Sequence, residues 1–142
     1  MLRCDGGDAA MRPRRHRKFA NRMAARELLS AADAHTLRLL EAYGLLIANT
    51  DRHYGNISLL LNNDNWTLSP SYDMLPMLVA PVSGELVARD FAARPLLPTA
   101  ATLPEWDQAK TLAITFWRAA AGDARVSDGF RAIAYNNALH PV

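Results

Sequence analysis

The chain has 142 residues, half of them hydrophobic, and a formal net charge of +2. That composition supports one domain with a buried core and excludes a chain disordered throughout. A single cysteine, Cys4, excludes an internal disulfide, and no apolar run approaches the roughly 18 residues that cross a bilayer.

With no signal-peptide pattern after the first residues, a reducing cytoplasm and no membrane association are expected. The sequons at 56–58 and 65–67 then count as chance matches. Charge is uneven along the chain. Residues 1–27 hold eight of the sixteen basic residues against Asp5, Asp8 and Glu27, so that segment is +5 and the remainder −3. The run "RPRRHRK" (12–18) reads first as a solvated terminus leading into a helix. Nucleic-acid contact is expected only through the basic residues of 12–26, and no aromatic is interleaved there to stack a base.

Residues 1–18, with Gly6-Gly7 and no hydrophobic period, are expected to be disordered, leaving 19–142 as the folded domain. A short helix is expected over 19–29, with Phe19, Met23 and Ala24 on one side. Ser30 and Asp33 offer N-caps to the next helix, about 34–48, where Leu39, Leu40, Tyr43, Leu46 and Ile47 recur at helical spacing. "ISLLL" (57–61) and "WTLS" (66–69) flank Asn62-Asn63-Asp64-Asn65, a hairpin pattern that Pro70 closes. Five prolines between 76 and 104 argue against long regular structure there. Thr102 or Pro104 begins a further helix, about 105–121, with Trp106, Leu112, Ala113, Phe116 and Trp117 as its apolar set and Gly122 at its end. Ser127 or Asp128 caps a last helix reaching about Ala138. The expected fold class is mainly α with one small β-hairpin between helices, and Trp66, Trp106 and Trp117 are expected in the core.

The chemistry concentrates in "NTDRHYGN" (49–56). A helix ends, Asp51 follows at once, Asn56 sits five residues later, and the hairpin returns the chain to Asp73. Phosphoryl transfer from ATP needs such a set. One carboxylate orients the attacking hydroxyl and takes its proton, while an amide oxygen and a second carboxylate hold Mg²⁺ against the phosphates. Protein kinases supply these groups as an Asp-x-x-x-x-Asn loop followed, across a hairpin, by a metal-binding Asp. The Asp-to-Asn spacing alone arises often by chance; its place between a buried helix and a hairpin ending in Asp gives it weight.

"LIANTDRHYGNISLL" (46–60) and "WTLSPSYDMLP" (66–76) together resemble the C-terminal region of the HipA-type serine/threonine kinases, toxin components of bacterial toxin–antitoxin pairs. That family shows Asn-x-Asp-x-His before the loop Asn, then Pro-x-Tyr-Asp. Here Asn49, Asp51, His53, Asn56, Pro70, Tyr72 and Asp73 fill those places. The resemblance runs from about residue 19 to 140, with its motifs confined to 49–75. It implies a kinase C-lobe with Asp51 as catalytic base, His53 facing the transferred phosphate, and Asn56 and Asp73 holding Mg²⁺ and thereby ATP. It also implies transfer of the ATP γ-phosphate to a Ser/Thr hydroxyl of a protein substrate, and an antitoxin as partner. Asn49 is read as ending the helix, and Tyr72 as packing.

Two departures from the family pattern stand out. Many members carry a Lys immediately before the loop Asn, where this chain has Gly55, so that phosphate contact is missing or comes from Arg52. The strand lysine of an amino-terminal lobe also has no counterpart, since the two lysines are Lys18, in the basic run, and Lys110, in a helix. The expectation is a C-lobe whose N-lobe comes from a separate chain or another reading frame, inactive or weakly active alone. The alternative is a non-catalytic kinase remnant that binds a protein or nucleic acid. A metallophosphoesterase is disfavoured because Gly55-Asn56 is followed by Ile57-Ser58 rather than His-Asp. A serine hydrolase lacks its Gly-x-Ser-x-Gly elbow.

Overall fold

The computed structural model describes residue 23 and residues 28–86, 89, 96–100 and 102–140. The basic segment and most of the helix expected over 19–29 lie outside these residues. Helix α1 spans Ala31–Leu46. Ser30, extended at φ −63° and ψ 156°, accepts the Asp33 N–H at 3.0 Å. Because Ser30 is the cap, rather than Asp33, the helix starts three residues before the hydrophobic spacing does.

The end of α1 is set by backbone geometry. Ala48 adopts φ 60°, its N–H bonds to the Leu45 carbonyl at 3.1 Å, and the Asn49 N–H bonds to the Gly44 carbonyl at 2.9 Å. This is a Schellman closure, which stops the helix at Leu46 although apolar spacing continues to Ala48. An L-residue in the left-handed region costs about 1–2 kcal/mol, so burial of the Ala48 methyl must hold it there. The Ala48 carbonyl then accepts from Leu78 at 3.0 Å, tying the helix end to a 3₁₀ turn at Met77–Val79.

Strands β1 (Leu59–Asn62) and β2 (Asn65–Leu68) form an antiparallel hairpin with Leu59 opposite Leu68 and Asn62 opposite Asn65. Asn63 and Asp64 both take positive φ, 47° and 65°, the requirement of a tight two-residue hairpin turn. The base of the hairpin packs Leu59 and Leu68, with Ile57, against Leu37 of α1 and Leu29. Further out, Trp66 faces Leu61 across the strands and is 42% exposed, so it is not the core residue its size implied. A two-stranded hairpin has one short apolar face, and only its base reaches α1.

Helix α2 (Trp106–Gly122) follows a 3₁₀ turn at Leu103–Glu105, and α3 (Asp128–Leu139) starts from Ser127, whose hydroxyl accepts the Phe130 N–H. Gly122 is the last helical residue of α2, with Asp123 as its cap. The main core joins Ala42, Leu45, Leu46 and Ile47 of α1 and its end to Trp106, Ala109, Ala113 and Trp117 of α2 and Ala134 of α3. Small residues on α2 let α1 and α3 approach it closely, and Trp117 fills the space between. Its indole N–H donates to the Leu46 carbonyl at 3.2 Å, capping the end of α1 from inside the core. No helix among the described residues is long and apolar enough to cross a membrane. The architecture is thus mainly helical with one two-stranded hairpin, as expected, and it anchors both ends of the segment 47–58.

Candidate active site

The chain leaves α1 at a fixed angle and enters a tight loop. Asn49 is buried, and its side chain works in two directions. Its Oδ1 accepts the Asp51 N–H at 3.0 Å, while its Nδ2 points to the Asp73 carbonyl at 3.4 Å and the Met74 sulfur at 3.5 Å. One amide therefore links the loop to the segment after the hairpin. Asp51 itself is exposed.

Residues Tyr54–Asn56 form a single 3₁₀ turn, closed by the Asn56 N–H on the His53 carbonyl at 3.1 Å. The Asn56 side chain folds back so that Oδ1 accepts the His53 N–H at 3.1 Å. Its Nδ2 donates to Asp73 Oδ2 at 2.8 Å. The His53 ring lies over the turn, with Nδ1 accepting the Gly55 N–H at 3.0 Å. In this arrangement Nδ1 is the acceptor, so Nε2 carries the ring proton and is the donor available to a ligand. Gly55 makes the fold-over possible, because a Cβ there would sit 2.9 Å from the imidazole.

Asp73 sits at φ 56°, a left-handed conformation that Asp tolerates better than most residues. Before it, the Tyr72 hydroxyl donates to the Gly55 carbonyl at 2.6 Å and lies 2.9 Å from Ser58 Oγ. Tyr72 is thus a hydrogen-bonding tie between the segment before Asp73 and the loop.

Arg52, the other source expected for a phosphate contact, is engaged with α1 in this structure. Its side chain runs inward along α1: Nη1 donates to the Glu41 carbonyl at 2.5 Å, and the chain covers Gly44, where a Cβ would come 2.5 Å from Cδ. Burial pulls the guanidinium pKa down, and the nearby Glu41 charge opposes that pull. Its Nε is buried without a hydrogen-bond partner. A small open cleft of about 40 Å³ lies behind the loop, bounded by Leu37 and Leu40 of α1 and by Asn49, Arg52, Asn56, Tyr72 and Met74.

The structure therefore brings Asn56 and Asp73 into direct contact and ties both, through Asn49 and Tyr72, to the backbone around Asp51 and His53. Among the described residues no group of three or more His, Cys, Asp or Glu is placed to hold a metal ion by protein ligands alone. Asn56 turns its Nδ2 toward Asp73 and its Oδ1 toward the His53 N–H. An ion at this pair would therefore be held by the Asp73 carboxylate and, once the amide turned, the Asn56 oxygen, with waters or phosphate oxygens completing the shell. Asn49 and Tyr72 carry more of this arrangement than their sequence positions imply. Both belong to the family motif, but the ties they make between segments do not follow from it.

Residues 17–134 match the model of the HipA-like C-terminal domain, and the chain belongs to that family. It is 37% identical over 113 residues to the Toxin YjjJ of Escherichia coli strain K12, an alignment covering 80% of this chain and 25% of that protein. The chain thus spans about a quarter of the length of the relative it matches. No solved structure matches it.

Proposed function

We propose that residues 49–73 form the catalytic loop and metal-binding segment of a protein serine/threonine kinase. Asp51 orients and deprotonates a substrate hydroxyl, His53 Nε2 donates to the transferred phosphate, and Asn56 and Asp73 hold Mg²⁺. Bound there with ATP, Mg²⁺ neutralises charge on the phosphates; Asn56 must turn its amide oxygen from the His53 N–H toward the ion or share it. The observation that supports this most is the 2.8 Å contact between Asn56 and Asp73, residues seventeen positions apart on either side of a hairpin. The resemblance of the motifs to a kinase C-lobe is the second support.

A phosphate-covering lobe is required for ATP to be clamped, and we propose that another part of the protein or a separate chain provides it. Alone, these residues bind ATP weakly and transfer little phosphate. The relative's name, a toxin, supports a toxin–antitoxin setting with an antitoxin protein as the partner.

The test is transfer of radiolabelled γ-phosphate, measured for the chain alone and with an ATP-holding lobe supplied. Label appearing on Ser or Thr only in the second case, and lost in Asp51→Asn, supports the proposal. Labelling indifferent to Asp51→Asn would sink it.

A further inference from the structure

We propose that the Tyr72 hydroxyl is a positioning group that sets the Asn56–Asp73 pair for metal binding, a role that rests on the kinase reading of that pair. The phenol has one hydrogen to give, and the shorter contact, 2.6 Å to the Gly55 carbonyl, takes it. The Ser58 hydroxyl, 2.9 Å away, is then the donor to the phenol oxygen. Both bonds land on the loop, one residue before Asn56 and two after it. The Gly55 carbonyl belongs to the same planar peptide as the Asn56 nitrogen, so fixing that carbonyl fixes the plane from which Asn56 departs.

The other end of the tie is the residue next to Asp73. Asp73 holds a left-handed φ of 56°, which persists only where neighbours over-determine it. Asn49 restrains its carbonyl and Asn56 its carboxylate. Tyr72 restrains the chain entering it. The ring is 41% exposed, and the Tyr72→Phe change removes only the hydroxyl and its two hydrogen bonds while keeping the ring. Removing the oxygen should loosen the pair's geometry while leaving the core untouched.

The experiment titrates MnCl₂, as a paramagnetic stand-in for Mg²⁺, into ¹⁵N-labelled chain and follows broadening of the Asn56 side-chain amide. Tyr72→Phe and Asp73→Asn are run beside the unaltered chain, each with a thermal melt. Expected is Tyr72→Phe needing about tenfold more Mn²⁺ for equal broadening, as loss of one or two hydrogen bonds implies. Its melting temperature should stay within a few degrees, and Asp73→Asn should abolish the effect. Equal Mn²⁺ dependence in Tyr72→Phe, with Asp73→Asn still abolishing it, overturns the positioning role and leaves the metal reading standing. A Tyr72→Phe chain that unfolds shows the hydroxyl to be structural and overturns the role as well. No broadening in the unaltered chain overturns the metal reading and this proposal with it.

Discussion

The Asn56 side-chain amide donates to Asp73 Oδ2 at 2.8 Å, although the two lie seventeen positions apart on either side of a β-hairpin. The hairpin acts as a measured spacer. Four residue pairs and a two-residue turn return the chain to the level at which it left the loop. Leu59 and Leu68 fix the base of that spacer against α1, so the contact inherits its geometry from the core.

Asp73→Asn keeps the shape of the side chain and an oxygen for the Asn56 amide, but removes the carboxylate charge. Its exposure means that the fold should tolerate the change, within about 1 kcal/mol by urea denaturation. Mg²⁺-dependent phosphate transfer by the complemented protein should be abolished. Retained transfer in Asp73→Asn would remove Asp73 from the metal assignment.

Asn49→Ala strips the buried bridge between the two segments. The Asp51 N–H loses its acceptor and the Asp73 carbonyl loses a donor, with a small cavity left behind. A buried polar group deprived of its partner costs about 1–3 kcal/mol, so a stability loss of about 2 kcal/mol is expected by urea denaturation. Activity of the complemented protein should fall further than stability alone accounts for, since both acidic residues lose their reference point. A variant as stable and active as the parent would show that the 3.4 Å contact to Asp73 carries no weight.

Periodicity and turn chemistry are local, and what depended on them was legible in the sequence. The Asn63-Asp64 turn, the Ser127 cap and the α2 apolar stripe through Trp106, Ala113 and Trp117 follow from neighbours a few residues apart, although Leu112, expected in that stripe, is 44% exposed. The end of α1 was not legible, because an Ala in the left-handed region looks like any other helical Ala. Trp66 lies outside the core because only the base of this two-stranded hairpin packs against α1. For the candidate site, the pattern of Asp51, His53, Asn56 and Asp73 was visible as spacing. The inward path of Arg52 and the ties made by Asn49 and Tyr72 were not, as each depends on contacts between segments eleven or more residues apart.

Gly55→Ala tests the placement of His53. The new methyl would lie 2.9 Å from Cε1 and Nδ1 of the imidazole. The ring is the far end of an exposed side chain, so it turns away instead of forcing the backbone to move. Nδ1 then loses the Gly55 N–H, and the ring's ¹⁵N shifts should report a change in the tautomer balance. The melting temperature should move by no more than a few degrees. Unchanged ring nitrogen shifts in Gly55→Ala would mean that His53 does not lie over the turn in solution.

Tyr43 supplies a pH dependence. Half-buried in α1 with Phe116 edge-on at 6.5 Å, it has its pKa raised above the ordinary 10.0 by burial. The unfolded chain therefore releases this proton at lower pH than the folded one. The contribution is fully present below about pH 10 and is lost as pH rises through the folded-state value. Thermal melts between pH 8 and 11 should fall less steeply for Tyr43→Phe than for the parent; parallel slopes would contradict the burial of the hydroxyl.

The ion pair joining α1 to the 3₁₀ turn before α2 gives the sharpest stability test away from the loop. Glu105 is 2% exposed, and its Oε1 accepts from Arg38 Nε at 2.8 Å, with His35 Nδ1 at 3.2 Å. Its Oε2 is buried without a hydrogen-bond partner. Removing one member of a fully buried pair costs about 3–5 kcal/mol, mainly through the charge left behind. Arg38 is partly exposed and His35 remains, so Arg38→Met should cost about 2 kcal/mol. If the stranded carboxylate is the cause, adding Glu105→Gln to Arg38→Met should recover part of that loss, although Glu105→Gln alone destabilises. Urea denaturation of the four proteins measures the coupling directly. An Arg38→Met loss that Glu105→Gln only deepens would place the cost in lost packing of the arginine stem rather than in charge.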